Sequence, residues 1–485
     1  MAVAPRVRIL AIKLFEAPYR LRLPFRFGVI TVTEGVQALV RLRLQTADGR
    51  EAWGYAAEAL AAKWFDKNPQ LSDEDNRHQL RRSLELTREA YLAAPPLSAF
   101  ALHAQHYGAL MQAGAREGLP PLAMAYGPAL LDRAVMDALC RAHGLGFAQA
   151  MQGNLAGMEV LTALTPDLAG FELAAMLRGL APQASIAVRH TVGLLDPITA
   201  GDQAPGSRVD DGLPETLQEV AAVYGCRYFK LKASGRIEAD LDRLVQIARV
   251  LDGLADPYHV TLDGNEQYPN AEAITELWLR VLATPALRRL AGSTLLVEQP
   301  IARQQAGAEP VWALARHLPV IIDESDGGLD AFVQARALGY AGVSTKSCKG
   351  FYKSLLNLAR CRQWNAAASA GAQPFFMSGE DLTMQPGMAV QQDLALVGLM
   401  GLTHVERNAH HFIDGFNGRP PAEAQAFLAA HPDLYHLQDG QVRLRVERGQ
   451  LSLATLQGPG FGSAVDCVLD GTAPMKAAAW PVVAR

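Results

Sequence analysis

A chain of 485 residues has room for more than one folded unit and a large core. With 49% hydrophobic and 19% charged residues it reads as globular, not disordered, and a net charge of −4 gives no reason to expect nucleic acid or an anionic membrane as the main partner. The five cysteines (Cys140, Cys226, Cys348, Cys361, Cys467) are odd in number, scattered and without a Cys-x-x-Cys pair, which speaks against a disulfide framework or a zinc site.

Early charge and proline (Arg6, Arg8, Lys13, Pro18) interrupt any signal-peptide core, and no uncharged apolar run is long enough to cross a bilayer, so a cytoplasmic protein is expected. Val40, Leu42 and Leu44 alternate with Arg41 and Arg43 as in a half-buried strand, and Asp48-Gly49 marks a tight turn into a second strand over 51–55. Ser72 followed by Asp75 reads as a capped helix start. Gly127-Pro128 is expected to open a further helix that runs to about Ala142.

From there the pattern changes to short apolar strands alternating with helical stretches. The strands are expected at 186–191, 228–232, 259–263, 295–298, 320–323, 342–346, 375–378 and 403–406. Eight such units argue for an α/β fold with a closed parallel barrel, a (β/α)8 or TIM-like arrangement. Residues 143–184 exceed a simple connection, and the Gly/Asp/Pro-rich stretch 196–213 is expected to be functional or disordered. After Phe416 two more alternating strands follow, one with Val442, Leu444 and Val446, the other with Leu451 and Leu453. This division gives a cap at 1–150, a barrel at 151–416 and a tail at 417–485.

Polar residues end the barrel strands at regular intervals. Lys232, Asp263, Glu298, Asp323 and Lys346 are separated by 31, 35, 25 and 23 residues, close to the roughly 30 of one strand–helix unit. In a barrel such ends converge on one pocket. A single acidic residue there is as readily an N-cap; three in successive units suit a hard divalent cation with oxygen ligands, such as Mg2+. Asp323 and Glu324 point to opposite sides, and strand parity does not choose between them. Lys230 and Lys232 share one face, and two adjacent ammonium groups are expected to lower a lysine pKa toward that of a useful base. Lys346 is preferred to Lys349 on parity and position. His404, His410 and His411 are expected to be structural.

Lys230-Leu231-Lys232, Asp263-Gly264-Asn265, Glu298-Gln299-Pro300, Asp323-Glu324-Ser325 and Lys346 resemble, in order, the motifs of the enolase superfamily. Lysines on strands two and six resemble its muconate-cycloisomerase (muconate-lactonising) branch within the mandelate racemase/muconate-lactonising group. Pro24-Phe25-Arg26-Phe27-Gly28 and Trp53-Gly54 resemble the family's α+β capping domain, and Gly458-Pro459-Gly460-Phe461-Gly462 resembles its closing C-terminal segment, which returns to the cap. Strand seven ends Met377-Ser378-Gly379-Glu380 without the histidine of the mandelate-racemase branch.

The resemblance implies Asp263, Glu298 and Asp323 as ligands of Mg2+, with Mn2+ as a substitute, and Asn265 and Glu324 just behind them. It implies Lys232 and Lys346 as an acid/base pair, Lys230 as the group that tunes Lys232, and Glu406 as a group assisting the substrate carboxylate. Arg26, Lys63 and Trp64 lie in segments that cover the barrel mouth in this family and are expected to touch substrate. The activity implied is removal of the proton beside a small-molecule carboxylate through a metal-stabilised enediolate, ending in racemisation or epimerisation, dehydration or cycloisomerisation by an isomerase or lyase. The cap segments are expected to choose the substrate. A homo-oligomer is compatible with all of this. Two rival readings are a Schiff-base lysine aldolase or lyase on the same barrel and a non-catalytic carboxylate-binding barrel.

Overall fold

The computed structural model describes residues 4–382, 385–469 and 471–481. The chain begins with three antiparallel strands, β1 (Val7–Phe27), β2 (Ile30–Thr46) and β3 (Glu51–Ala59). Val40, Leu42 and Leu44 are fully buried, and Arg41 and Arg43 lie against the Trp53 ring on the other face, as the alternation requires. The β2–β3 turn holds Gly49 at φ 87°, the left-handed region that glycine enters without strain. The β1–β2 hairpin is far longer than the sequence pattern indicates, and its tip reaches over the barrel.

Four helices follow: α1 (Ala62–Phe65), α2 (Asp73–Ala93), α3 (Ala99–Arg116) and α4 (Pro121–His143). Ser72 and Asp75 form the expected capping box at the start of α2. The helix expected to start at Gly127-Pro128 starts instead at Pro121, with Pro128 inside it. Pro128 has no N–H to offer the Met124 carbonyl one turn back. The Ser83 hydroxyl of α2 donates to that carbonyl at 2.6 Å and accepts the Gly127 N–H at 2.8 Å, so a neighbouring helix supplies what proline removes.

The barrel comprises β4 (Ser185–Val192), β5 (Tyr228–Lys232), β6 (His259–Asp263), β7 (Thr294–Glu298), β8 (Val320–Ile322), β9 (Gly342–Thr345), β10 (Phe376–Gly379) and β11 (His404–Glu406). Each pairs in parallel with the next, and β11 pairs with β4 to close the ring. The register places Lys232, Asp263 and Glu298 side by side, and Asp323 and Lys346 directly follow the ends of β8 and β9. The expected capped (β/α)8 architecture is present.

Residues 196–213 form an ordered connection: Arg22 of β1 grips Asp211 at 2.5 and 2.9 Å, and Glu215 accepts the N–H groups of Val209 and Asp210. The tail holds β12 (Tyr435–Gln438), β13 (Gln441–Leu444), β14 (Gln450–Ser452) and β15 (Ala473–Pro474). The two strands expected there go to different partners. β13 pairs with β12, and β14 runs antiparallel to the start of β4. β15 joins the edge of β1, and Arg141 of α4 binds Asp466 at 2.7 Å, so this part of the tail lies on the cap.

Ser83→Ala should lower stability by about 1–3 kcal/mol, because it strands the Met124 carbonyl and the Gly127 N–H. Urea unfolding should show an earlier midpoint, and adding Pro128→Ala, which restores an N–H donor, should recover part of the loss.

Candidate active site

Residues that alternate inward along the barrel strands are unusually polar for an interior that branched aliphatics commonly fill. At the bottom, Tyr228 stacks on His404 with ring centroids 4.6 Å apart and tilts against His259 at 4.9 Å. Above them Arg189 of β4 donates to Glu380 and to the His404 ring, the latter at 2.8 Å. At the next level Lys230 sits where four carboxylates converge. Its Nζ is 2.9 Å from Asp263, 2.8 Å from each of Glu298 and Glu380, and 3.0 Å from Glu406. Burial opposes the Lys230 charge, but these carboxylates outweigh it and hold the ammonium well above the ordinary lysine range. The expected lowering by a neighbouring lysine is thus reversed at Lys230, because anions outnumber the one adjacent cation.

Lys232 donates to Asp263 at 2.6 Å, and across the ring Lys346 donates to Asp323 at 2.6 Å. Burial also opposes the Lys346 charge, and Asp323 overrides it, so this group too is raised. Lys349 lies deeper. It bonds Ser344 at 2.7 Å and Asp326 at 3.0 Å, and it lines no part of the main cavity, whereas Lys346 does. Glu324 turns away from Asp323 to meet Lys67 and the Asn265 amide, each at 3.3 Å. Asn265 returns its backbone N–H to Asp263 at 2.8 Å from a left-handed backbone, φ 42°. Glu406 is held well below the usual carboxylate range; burial works against this, but Lys230, Lys232 and Lys346 prevail.

A cavity of about 330 Å3 opens above this network, lined at its base by Lys230, Lys232, Asn265, Lys346 and Glu406. The carboxylates Asp263, Glu298 and Asp323 do not line it. They are buried beneath the lysines whose ammonium groups cover them, contrary to the expectation that every strand-end group points into the pocket. Trp64 and Lys63 line the cavity from α1, although the Lys63 ammonium is engaged by the carbonyls of Asn68 and Leu71. Arg26 does not line it, because Phe25 and Phe27 on either side do, and the intervening residue of a strand faces the other way.

Sequence reasoning missed several residues. Glu380, directly after β10, stands in the sequence only as the residue that is not histidine, yet it bridges Lys230 and Arg189. Lys67 ties the cap to the mouth through Glu266 at 2.7 Å. The Gln299 side chain accepts the Asp323 and Ser325 N–H groups and so fixes the turn after β8, with its own φ at 34°. Asp381 also lines the cavity, with burial pushing its carboxyl up to about 8 against the pull of Arg407. Only Gln299, inside a quoted motif, carried a usable signal. The histidines separate: His404 is in the barrel interior, and His410 and His411 pack on His190, all kept neutral by burial.

Asp263, Glu298 and Asp323 suit a hard divalent cation by donor chemistry: three carboxylates on adjacent strands, at most 1% exposed. Glu298 Oε2 accepts no well-directed hydrogen bond, and burial, Asp263 and Glu380 push the Glu298 carboxyl well above its usual range. Among the described residues no three His, Cys, Asp or Glu side chains are already gathered as a metal cluster.

Comparison with solved structures places this architecture. A dipeptide epimerase from Enterococcus faecalis, complexed with Mg and the dipeptide L-Leu-L-Tyr, aligns over 94% of this chain and 99% of its own, with TM-score 0.58 and 13% identity. A muconate lactonizing enzyme from Pseudomonas fluorescens, complexed with muconolactone, aligns over 95% and 97% with TM-score 0.54 and 18% identity. The L-Ala-D/L-Glu epimerase of Bacillus subtilis aligns over 94% and 98% with TM-score 0.54 and 14% identity. The chain shares their fold. No protein-family model and no curated protein matches it by sequence.

Lys230→Met should cost about 3–5 kcal/mol, because it leaves a cluster of buried carboxylates without their common cation. A melting curve should show a large fall in Tm; an unchanged Tm would mean that Lys230 does not carry the network.

Proposed function

We propose that this protein is a Mg2+-dependent enzyme that removes the proton beside a substrate carboxylate. The observation that carries the reading is the pair Lys232 and Lys346. They stand at the ends of β5 and just after β9, four strands apart in an eight-strand ring, so they face each other across the cavity. A planar carbanion formed between two such groups can receive its proton from either side. Binding alone would not require opposed bases.

Asp263, Glu298 and Asp323 would hold the metal, with Asn265 and Glu324 steadying them from behind. When bound, Mg2+ would act as a Lewis acid that offsets the negative charge growing on the substrate carboxylate as the α-proton leaves. Lys232 on one face or Lys346 on the other takes the proton at Nζ. Each must first give up its own proton and its ion pair, Lys232 with Asp263 and Lys346 with Asp323. Glu406, ionised under the influence of all three lysines, would serve as their counter-charge at the cavity base, and Lys230 would keep the anionic floor in balance. Return of the proton from the opposite face gives racemisation or epimerisation. Loss of a β-group gives dehydration, and the intramolecular counterpart gives cycloisomerisation. The solved relatives in fold include epimerases and a muconate lactonizing enzyme, which supports this range. Mn2+ should substitute for Mg2+, and the substrate is a small carboxylate.

Screening acid sugars, dipeptides and hydroxy acids for α-proton exchange in D2O should reveal an exchanging carboxylate. EDTA should abolish the exchange, and Mg2+ or Mn2+ should restore it. Full exchange in stripped protein would sink the metal assignment. Lys232→Ala and Lys346→Ala should each abolish interconversion of enantiomers, yet each should still exchange the α-proton of one enantiomer, and the two variants should favour opposite ones. If Lys349→Ala lowers Tm but leaves exchange intact, the register after β9 is right; loss of exchange in Lys349→Ala with Lys346→Ala unaffected would reverse the assignment.

A further inference from the structure

Each of the two opposed lysines lies beneath one aromatic ring of the cap. Lys232 Nζ is 6.0 Å from the Phe25 ring centroid, and Lys346 Nζ is 4.3 Å from that of Trp64, both within cation–π reach. The rings come from separate segments, Phe25 from β1 and Trp64 from α1, and are 7% and 4% exposed. Neither is a loose flap. Phe412 backs Phe25 with centroids 4.6 Å apart, and Phe65 meets Trp64 edge-on at 4.9 Å. Arg303 donates to the Trp64 and Phe65 carbonyls at 3.0 and 2.8 Å and anchors α1 to the barrel mouth.

Several polar groups in the wall are already engaged. The Asn408 amide donates to Thr191 and Glu406, each at 3.1 Å, and its carbonyl accepts the Thr191 N–H at 3.1 Å. The Asp381 carboxylate accepts from Arg407 at 3.0 Å and from the Asn408 N–H at 3.1 Å. Lys63 is held by two backbone carbonyls. A polyhydroxylated acid must replace the water around each hydroxyl with a partner; Asn408, Asp381 and Lys63 have little bonding capacity to spare, and among the described residues the Asn265 Oδ1 at the base is the one buried side-chain acceptor there without a hydrogen bond. An apolar substituent instead gains by leaving water for the surfaces of Phe25, Phe27, Leu60 and Trp64.

We infer that the site takes carboxylates whose α-carbon bears an apolar, ring-sized group in preference to polyhydroxylated acids, and that Phe25 and Trp64, one above each lysine, determine this specificity. The inference rests on the proton-abstraction reading for the roles of the two lysines. Calorimetric titration of the full-length protein in Mg2+ with (R)-2-phenylpropanoate, (S)-2-phenylpropanoate and D-gluconate tests it. At least one phenylpropanoate enantiomer should bind about tenfold or more tightly than gluconate. Phe25→Leu and Trp64→Leu should each weaken phenylpropanoate binding by about three- to tenfold and change gluconate binding by less than about twofold. Phe25→Ala and Trp64→Ala should lose more; the leucine variants keep a buried apolar side chain and guard against failure to fold. Gluconate binding as tight as phenylpropanoate, no measurable phenylpropanoate binding, or equal losses for both acids would each overturn the inference. Exchange of the α-proton of the same acid into D2O, followed by NMR, reads the chemistry separately: tight binding without exchange would defeat the proton-abstraction reading and leave the substituent preference standing.

Discussion

A single ammonium group at the meeting point of four carboxylates sets the terms for the interior of this barrel. Lys230 lets Asp263, Glu298, Glu380 and Glu406 stand close together while buried. Groups buried to this degree tolerate charge only when it is compensated nearby, and the compensation must be made with well-placed hydrogen bonds. Lys232 and Lys346 extend the same compensation upward to Asp263 and Asp323, and Arg189 extends it downward through Glu380. The barrel is therefore held by an alternating column of charges where an aliphatic stack is more usual.

The cap is fastened to this column by cations that reach from one unit to the other. Arg22 of β1 grips Asp211 and the carbonyls of Leu213 and His411, and Lys67 reaches Glu266, Glu324 and the Asn265 carbonyl. From the barrel side Arg303 holds α1. These ties lie at the rim, so the cavity roof is positioned by the same loops that carry the strand-end residues. The geometry of the cavity and of its base are consequently not independent.

Much of this was legible in the sequence because periodicity reports directly on burial. The eight strands declared themselves by apolar runs, and the polar residues at their ends by spacing. What stayed hidden depended on contacts between distant segments. No local signal tells that Ser83 rescues a proline-containing turn of α4, that Arg22 orders a loop nearly two hundred residues away, or that the lysines would fold down over the carboxylates. The reversal at Lys230 has the same origin. Its neighbour in sequence is a cation, but its neighbours in space are anions, and the nearer, more numerous charges decide. Glu380 carries no role in the sequence because a glutamate after a short strand is unremarkable until Arg189 and Lys230 are seen on either side of it.

The long β1–β2 hairpin carries its aromatic wall on a two-residue repeat: Phe25 and Phe27 face the cavity, and Arg26 faces away. A shift of one residue in this strand would exchange the faces. Two rings would leave the roof and a guanidinium would enter it, above a base whose charges had not moved. One deletion or insertion near the existing irregularity between Arg20 and Phe25 would suffice. The protein thus carries within its cap a stepwise route from an oily roof to a cationic one, open to lineage or laboratory alike, that leaves the ionic column of the barrel unedited.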